Sequence, residues 1–166
     1  EQAQNAAEPI SQTIENSEPL SRDTQIYKGI NGTISGALYR YNIDGIAYQN
    51  KFKVLSKNTK GLEGKNPYFV LNDELHAQEN MDMYDNLKSA QVSREQPMML
   101  NTSTAGKGAS SVGMRVYKYA KQVLDNDNDD SLFVAIWEPN KNYDWENRKV
   151  WRMVNPNIGI SVTMEQ

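Results

Sequence analysis

Tyr68-Phe69-Val70-Leu71-Asn72-Asp73-Glu74-Leu75-His76 is the stretch on which the reading of this chain turns. Four apolar residues lead into an Asp-Glu pair, the pattern of a buried strand whose C-terminal end brings two carboxylates to one place. In open α/β sheets, ligands bind in the space beyond the strand C-termini. An aspartate there suits magnesium, which takes one or two carboxylates and fills its other positions with water and substrate phosphates. Asp73 is therefore the candidate metal residue. Glu74, pointing off the other way, is the candidate base that orients and deprotonates a water. Cysteine is absent and His76 is the lone histidine, so a centre built on thiolates or on several imidazoles is excluded. Any ion must sit among oxygens.

Outward from this stretch, the next apolar run is Met98-Met99-Leu100, read as a strand parallel to the first. It closes in Asn101-Thr102-Ser103-Thr104-Ala105-Gly106, small hydroxyl residues ending in glycine. Adjacent parallel strands finish on the same edge of a sheet, so Ser103 and Thr104 are expected to face the ligand that Asp73 and Glu74 face. A hydroxyl placed there can hydrogen-bond a terminal phosphate or the attacking water. Phosphoryl transfer asks a protein mainly for position and charge, and these parts supply both.

Helical spacing fills the intervals. Met83, Tyr84, Leu87 and Ala90 mark one amphipathic helix, and Val112, Val116, Tyr119, Ala120 and Val123 mark another that runs to an acidic turn at Asp125. Residues 132–137 are a further apolar run, read as a third central strand. Trp145, Trp151 and Val154 fall on a last helix that stops before Asn155-Pro156. Strand, helix, strand, helix, strand is the pattern of an α/β fold with a parallel sheet.

Upstream the pattern differs. Ala3, Ala6, Ala7, Ile10 and Ile14 recur at helical steps, with Pro9 kinking that helix or sitting in its first full turn. Residues 16–23, with Pro19, read as the loop that ends it. Then come β-type runs at 25–28, 37–42 and 47–55, separated by Asn31-Gly32 and Asp44-Gly45. These are two-residue hairpin signals, because both central positions accept positive φ. An antiparallel hairpin set leading into a strand over 52–56 is expected, followed by a polar loop over 57–67.

A chain of 166 residues is long enough for one domain with a real core. Its 18 basic and 21 acidic residues give a net charge of -3, without the whole-domain basic footprint of duplex binding, so any nucleic-acid contact must be local. The lysines from Lys51 to Lys65 and the aspartates from Asp125 to Asp130 cluster, as solvated faces do. No run approaches the ~18 apolar residues of a membrane span, so a soluble protein with no membrane partner is expected. Trp137, Trp145 and Trp151 read as core and interface mass rather than as base-stacking platforms.

A nucleotide site of this kind also needs a glycine-rich loop carrying lysine, G-x-x-x-x-G-K-S/T, to cradle the phosphates. Gly64-Lys65-Asn66 lacks the first glycine and the hydroxyl, and it precedes a strand where such a loop follows one. Gly106-Lys107-Gly108 lacks the hydroxyl and the upstream glycine. The economical expectation is that the loop lies upstream of Glu1 in a longer protein.

Leu62-Glu63-Gly64-Lys65-Asn66-Pro67 leads into the central stretch, and Ser103-Thr104-Ala105-Gly106, Tyr119-Ala120-Lys121 and Trp151 to Asn155-Pro156-Asn157-Ile158-Gly159-Ile160-Ser161-Val162 follow. In combination these residues resemble the large subunit of the tailed-phage terminase, the motor that packages viral DNA. The resemblance covers most of the chain from about Phe52 onward. It implies an α/β, parallel-sheet P-loop NTPase fold of the ASCE type, incomplete here and carrying an antiparallel hairpin insertion. It implies ATP and Mg2+, with Asp73 as the Walker B magnesium residue, Glu74 as the base, and Ser103 and Thr104 in the motif that couples hydrolysis to DNA movement. Gly106 and His76 would join Asp73 against the nucleotide.

The partners so implied are double-stranded DNA, a terminase small subunit, the portal protein and further copies in a homo-oligomeric ring. The place of work would be the host cytoplasm, at the procapsid portal. Residues 1–137 would be a partial ATPase domain lacking its Walker A segment, and 138–166 its C-terminal part or a linker toward a nuclease domain. The full-length protein would then be an ATPase and an endonuclease, and this segment alone inactive.

Two features depart from the family pattern. Asn72 stands where an apolar or small residue would complete the strand, and the hairpin region over 25–48 is longer than the family leads one to expect. His76 either senses the nucleotide, pairs with Glu74 or serves as a packing residue. A cation offered to a neighbour's phosphates would come from Lys57, Lys60, Lys65 or Arg94. Two other readings stay open. One is a DExH-type helicase core, matched by Asp73-Glu74-Leu75-His76 and by Ser103-Thr104-Ala105 near its Ser-Ala-Thr motif. The other is a non-catalytic remnant or assembly module that keeps the sheet and binds no ATP.

Overall fold

A computed structural model of the chain describes residues 2–55, 64–106, 108 and 111–163. The expected strand end at Ser56, the cations Lys57 and Lys60, and Leu62-Glu63 lie outside these residues. The chain divides into two compact units, Glu1–Tyr117 and Lys118–Gln166.

In the first unit, helix α1 (Gln2–Asn16) forms over the expected spacing, with Ala7 and Ser11, one turn apart, as buried positions. Pro9 lies inside it. The Gln4 side-chain amide donates to the Ile34 carbonyl at 2.8 Å and accepts the Ile34 N–H at 2.9 Å, closing both backbone groups of that residue. Residues 16–23, expected as a loop, hold a second helix, α2 (Glu18–Asp23). Ser17 is extended and Pro19 falls in the first turn, where a missing N–H costs no intrahelical bond. The proline therefore starts a helix here instead of preventing one.

Three antiparallel strands follow in the order β1 (Thr24–Lys28), β2 (Ile34–Ile43), β3 (Ile46–Lys53). Between β2 and β3, Asp44 (φ 52) and Gly45 (φ 82) both take left-handed backbone. That hand matches the twist of the flanking strands, and the Asn42 Oδ1 accepts the Gly45 N–H at 2.8 Å. The Asn31-Gly32 signal resolves differently. Only Gly32 has positive φ there, and the connection is a longer loop over 29–33, closed by Gly29 N–H donating to the Thr33 carbonyl at 2.7 Å. The register also slips between Tyr27 and Lys28, so this hairpin is bulged where a two-residue turn was expected. Tyr39, Tyr41 and Tyr48 stack along β2 and β3 with ring centroids 5.3 and 5.4 Å apart.

The central stretch forms β4 (Phe69–Asn72), paired in parallel with β5 (Met98–Asn101) through the crossover helix α3 (Asp82–Ala90). Val70 of β4 and Leu87 of α3 form the buried pair, with Leu55, Met83 and Met99 packed against them. Gln91, buried at the end of α3, donates to the carbonyls of Tyr68 (3.3 Å) and Met98 (3.0 Å), tying the entries of both strands together. The strand expected to be buried throughout is covered on one face only. Phe69 and Leu71, opposite Met98 and Leu100 in the register, are exposed. One helix covers one face, and the alternation of burial along β4 follows from that.

Helix α4 (Val112–Asn126) begins in the first unit and runs into the second. In the second unit, Lys121 pairs with Glu138 at 2.9 Å and the Tyr119 hydroxyl donates to Asp129 at 2.6 Å. Residues 132–137, expected as a third central strand, have no ladder among the described residues, and Phe133 and Trp137 are exposed. An apolar run supplies strand propensity, but a strand also needs a neighbour to hydrogen-bond, and this one has none there. Helix α5 (Arg148–Val154) ends before Asn155-Pro156 as expected, with the Asn147 side chain accepting the Lys149 N–H at its start. Trp145, expected on this helix, precedes it and accepts the Trp151 indole N–H on its carbonyl at 2.5 Å. No helix is long and apolar enough to cross a membrane among the described residues.

Candidate functional site

The site is assembled where β4 and β5 end side by side. In the parallel register Asn72 stands opposite Asn101, which places Asp73 next to Thr102 one step later. The Thr102 hydroxyl donates to Asp73 Oδ1 at 2.5 Å, the Thr102 N–H to the Asn72 carbonyl at 3.0 Å, and the Leu75 N–H to the Thr102 carbonyl at 3.0 Å. Both strand ends are thus stitched together beyond the last ladder pair.

Between Asp73 and Leu75 the chain turns through Glu74, whose backbone is left-handed at φ 53 and ψ 49. A side chain in that region costs about 1–2 kcal/mol, so surrounding bonds must hold it. They are the Glu74 N–H on Asp73 Oδ1 (3.0 Å) and the Glu74 carbonyl accepting from Ala77 N–H (2.8 Å) at the start of a 3₁₀ turn over Leu75–Ala77.

The Glu74 carboxylate is held as well, with Oε2 lying 3.0 Å from Nδ1 of His76. His76 reaches across to the hydroxyl turn. Its N–H donates to Ser103 Oγ at 3.1 Å, and its Nδ1 lies 3.2 Å from the same oxygen and 3.4 Å from Thr104 Oγ1. Two glycines close on the histidine from the other side. A Cβ on Gly106 would lie 2.7 Å from the His76 Cβ, and one on Gly113 would lie 3.0 Å from its Cα and Cβ.

Beneath the acids, buried Asn72 donates to Asn101 Oδ1 at 3.1 Å and accepts from Gln78 Nε2 at 2.7 Å. The polar residue that interrupts the apolar strand is therefore the hub of a small amide network. The Gln78 side-chain oxygen, Oε1, is buried without a partner among the described residues. A trough of about 1680 Å3 runs past this edge within the first unit, lined by Ala7 and Ile10 of α1, Phe52 of β3, Val70, Asp73 and Glu74.

Five of the residues singled out from sequence, Asp73, Glu74, His76, Ser103 and Thr104, are thus brought into one cluster, and Gly106 packs on its histidine. Thr102 and Gly113 were missed. Register would have found Thr102, because the residue after β5 must neighbour the residue after β4. Nothing local in the sequence marks Gly113, whose partner His76 comes from a distant turn. Arg94 is tied back, donating to the Asn66 carbonyl at 3.0 and 2.8 Å over the Tyr68 ring, while Lys65 is exposed.

Among the described residues, no group of three or more His, Cys, Asp or Glu could hold a metal. The oxygens at Asp73 and Thr102 nevertheless fit magnesium, a hard ion that needs only one or two protein carboxylates beside water and phosphate. Asp73 Oδ1 is committed to Thr102 and to the Glu74 N–H, and Oδ2 is the carboxylate oxygen that takes part in neither bond.

The sequence model of the family described as "Terminase large subunit, ATPase domain" matches residues 8–122, well over half of the chain. The chain belongs to this terminase family. The helicase reading is thereby set aside. Protein YmfN of Escherichia coli (strain K12) is 29% identical over 107 residues, which are 62% of this chain and 23% of that protein. Among solved structures, the HK97 bacteriophage large terminase superposes with a TM-score of 0.70 at 17% identity, over 93% of this chain and 30% of that one. This chain therefore spans under a third of either relative's length, and at that identity the structural likeness speaks for the fold. The fold is α/β, with its parallel strand pair and antiparallel sheet together matching part of a terminase ATPase.

Proposed function

We propose that this segment is the hydrolytic half of the ATPase of a viral DNA-packaging motor, whose turnover drives double-stranded DNA into a procapsid. The observation that carries the reading is the stitching of the two strand ends. Thr102 fixes Asp73 at 2.5 Å, and His76 bridges Glu74 to Ser103, so acid pair and hydroxyl turn form one unit as a phosphoryl-transfer site requires. Asp73 Oδ2 would hold magnesium, which when bound spreads the charge of the β- and γ-phosphates. Glu74 accepts a proton from the water whose oxygen attacks the γ-phosphorus, while the bond from that phosphorus to the bridging oxygen of ADP breaks. Ser103 and Thr104 register whether the γ-phosphate is attached and pass that state toward the DNA.

The trough supports a composite site. Small-molecule pockets hold roughly 300–1,000 Å3. Its larger volume admits a nucleotide together with a protein segment that cradles the phosphates. The 166 residues contain no G-x-x-x-x-G-K-S/T run, so in this reading the cradle comes from outside them. Residues 1–137 are then part of an ATPase domain, and 138–166 its end or a linker toward a nuclease. In the working assembly the large subunit forms a ring on the portal in the host cytoplasm and receives DNA from a small subunit.

The test is Glu74→Ala in the full-length protein. Loss of a general base costs about 10²–10⁴ in rate, so kcat falls by at least about a hundredfold while ATP affinity stays within a few-fold. Turnover that survives the change assigns the base elsewhere, and absence of any turnover in the unaltered protein would make the segment an assembly module.

A further inference from the structure

His76 has more bonds than a packing residue needs. Its backbone N–H is spent on Ser103 Oγ, and the Ser103 hydroxyl proton is spent in turn on the Thr104 carbonyl at 3.0 Å. Nδ1 then faces the lone pairs of Ser103 Oγ at 3.2 Å and a carboxylate oxygen of Glu74 at 3.0 Å. Hydroxyls can donate or accept, but the carboxylate oxygen, the nearest of the neighbours of Nδ1, can only accept, and that selects the Nδ1–H form of the ring. The ring therefore grips Glu74 by Oε2 and leaves Oε1 as the oxygen that can meet a water. Gly106 and Gly113 leave no slack behind it, since a Cβ on either would press on His76. A left-handed glutamate backbone, a tied carboxylate and a histidine whose Cβ is closely approached by two glycines form one linkage from the hydroxyl turn to the base.

We infer that His76 is the positioning residue of Glu74, transmitting the placement of the Ser103-Thr104 turn to the carboxylate through its Nδ1–H. This rests on the reading of Glu74 as the base. When the turn shifts, the grip on Oε2 shifts with it, and the base moves into or out of line with the attacked phosphorus. The link runs through side chains two residues apart on one turn and through the contacts of His76 with Ser103 across to the neighbouring strand end, so it acts without rearrangement of the sheet.

Asn and Leu at position 76 have nearly the same shape, but only Asn places an N–H near the Nδ1 position. In the full-length protein, H76N keeps kcat within about twofold of the unaltered enzyme. H76L loses about tenfold or more in kcat with KM for ATP within about twofold, because a misplaced catalytic group costs rate and not affinity. Adding Ser103→Ala to H76L costs less in kcat than Ser103→Ala costs in the unaltered enzyme, since part of the effect of the turn runs through the ring. Equal rates in H76N and H76L, a change in KM alone, additive losses in the double variant, or failure of both single variants to fold each overturn the inference. Turnover surviving in Glu74→Ala removes the base itself, and with it both this inference and the reading beneath it. Loss in Glu74→Ala beside full activity in H76L overturns the inference alone.

Discussion

Asn72 carries the argument at the scale of single residues. It ends an apolar strand, is buried, and spends its amide on Asn101 and Gln78. By hydrophobicity alone Asn72→Leu should help, since it replaces a polar group in a covered position. Bonding says the opposite. The change strands the Asn101 oxygen and the Gln78 amide, and each unsatisfied buried group costs about 1–3 kcal/mol. Urea unfolding of the chain is expected to show Asn72→Leu less stable by about that amount; a gain in stability would mean the network is replaced by water at no cost. The gathering of Asp73 and Glu74 with the hydroxyl turn was legible from sequence because neighbouring parallel strands finish on the same edge of their sheet. The reason for Asn72 was not, because its partners stand 29 and 6 residues away and only the folded register brings them together.

At the scale of elements, α4 carries a similar conflict. Gly113 lies in its first turn, and alanine in a helix interior is worth about 1 kcal/mol over glycine. Its added Cβ would meet His76 at 3.0 Å, tighter than ordinary contact. Gly113→Ala is expected to forfeit the helix gain in urea unfolding and, in the full-length protein, to lower kcat at unchanged KM by pushing the ring off Glu74. A full gain of stability with unaltered kcat would show that the ring has room to move. The helices α1, α3 and α4 and the Asp44-Gly45 turn were readable because period and turn chemistry are local. Residues 132–137 were misread because a strand is a relation between two segments. The proline at 19 was misread for a narrower reason, since proline stops a helix or starts one depending on which turn it occupies.

For the molecule at large, the described residues form a parallel sheet of two strands and an antiparallel sheet of three, with an open trough lined by α1 and the acids. If the phosphate cradle comes from outside these residues, the 166-residue chain should bind Mg-ATP no tighter than about 1 mM, which is only about 4 kcal/mol of binding free energy. Calorimetric titration checks this. Micromolar affinity would place the cradle inside the described fold and overturn the composite site. The fold class was legible from the order of elements, and the family from motifs at strand ends. The extent of the sheet was not, because the number of strands that pair depends on neighbours that no local pattern encodes.

The bare side of β4 and β5 has a practical outcome. Phe69, Leu71, Met98 and Leu100 present a continuous greasy plate to water, and plates of this kind adhere to one another. Handled by itself at high concentration, this polypeptide will cling to its own kind, and the state of any preparation will be set by dilution and detergent as much as by its sequence.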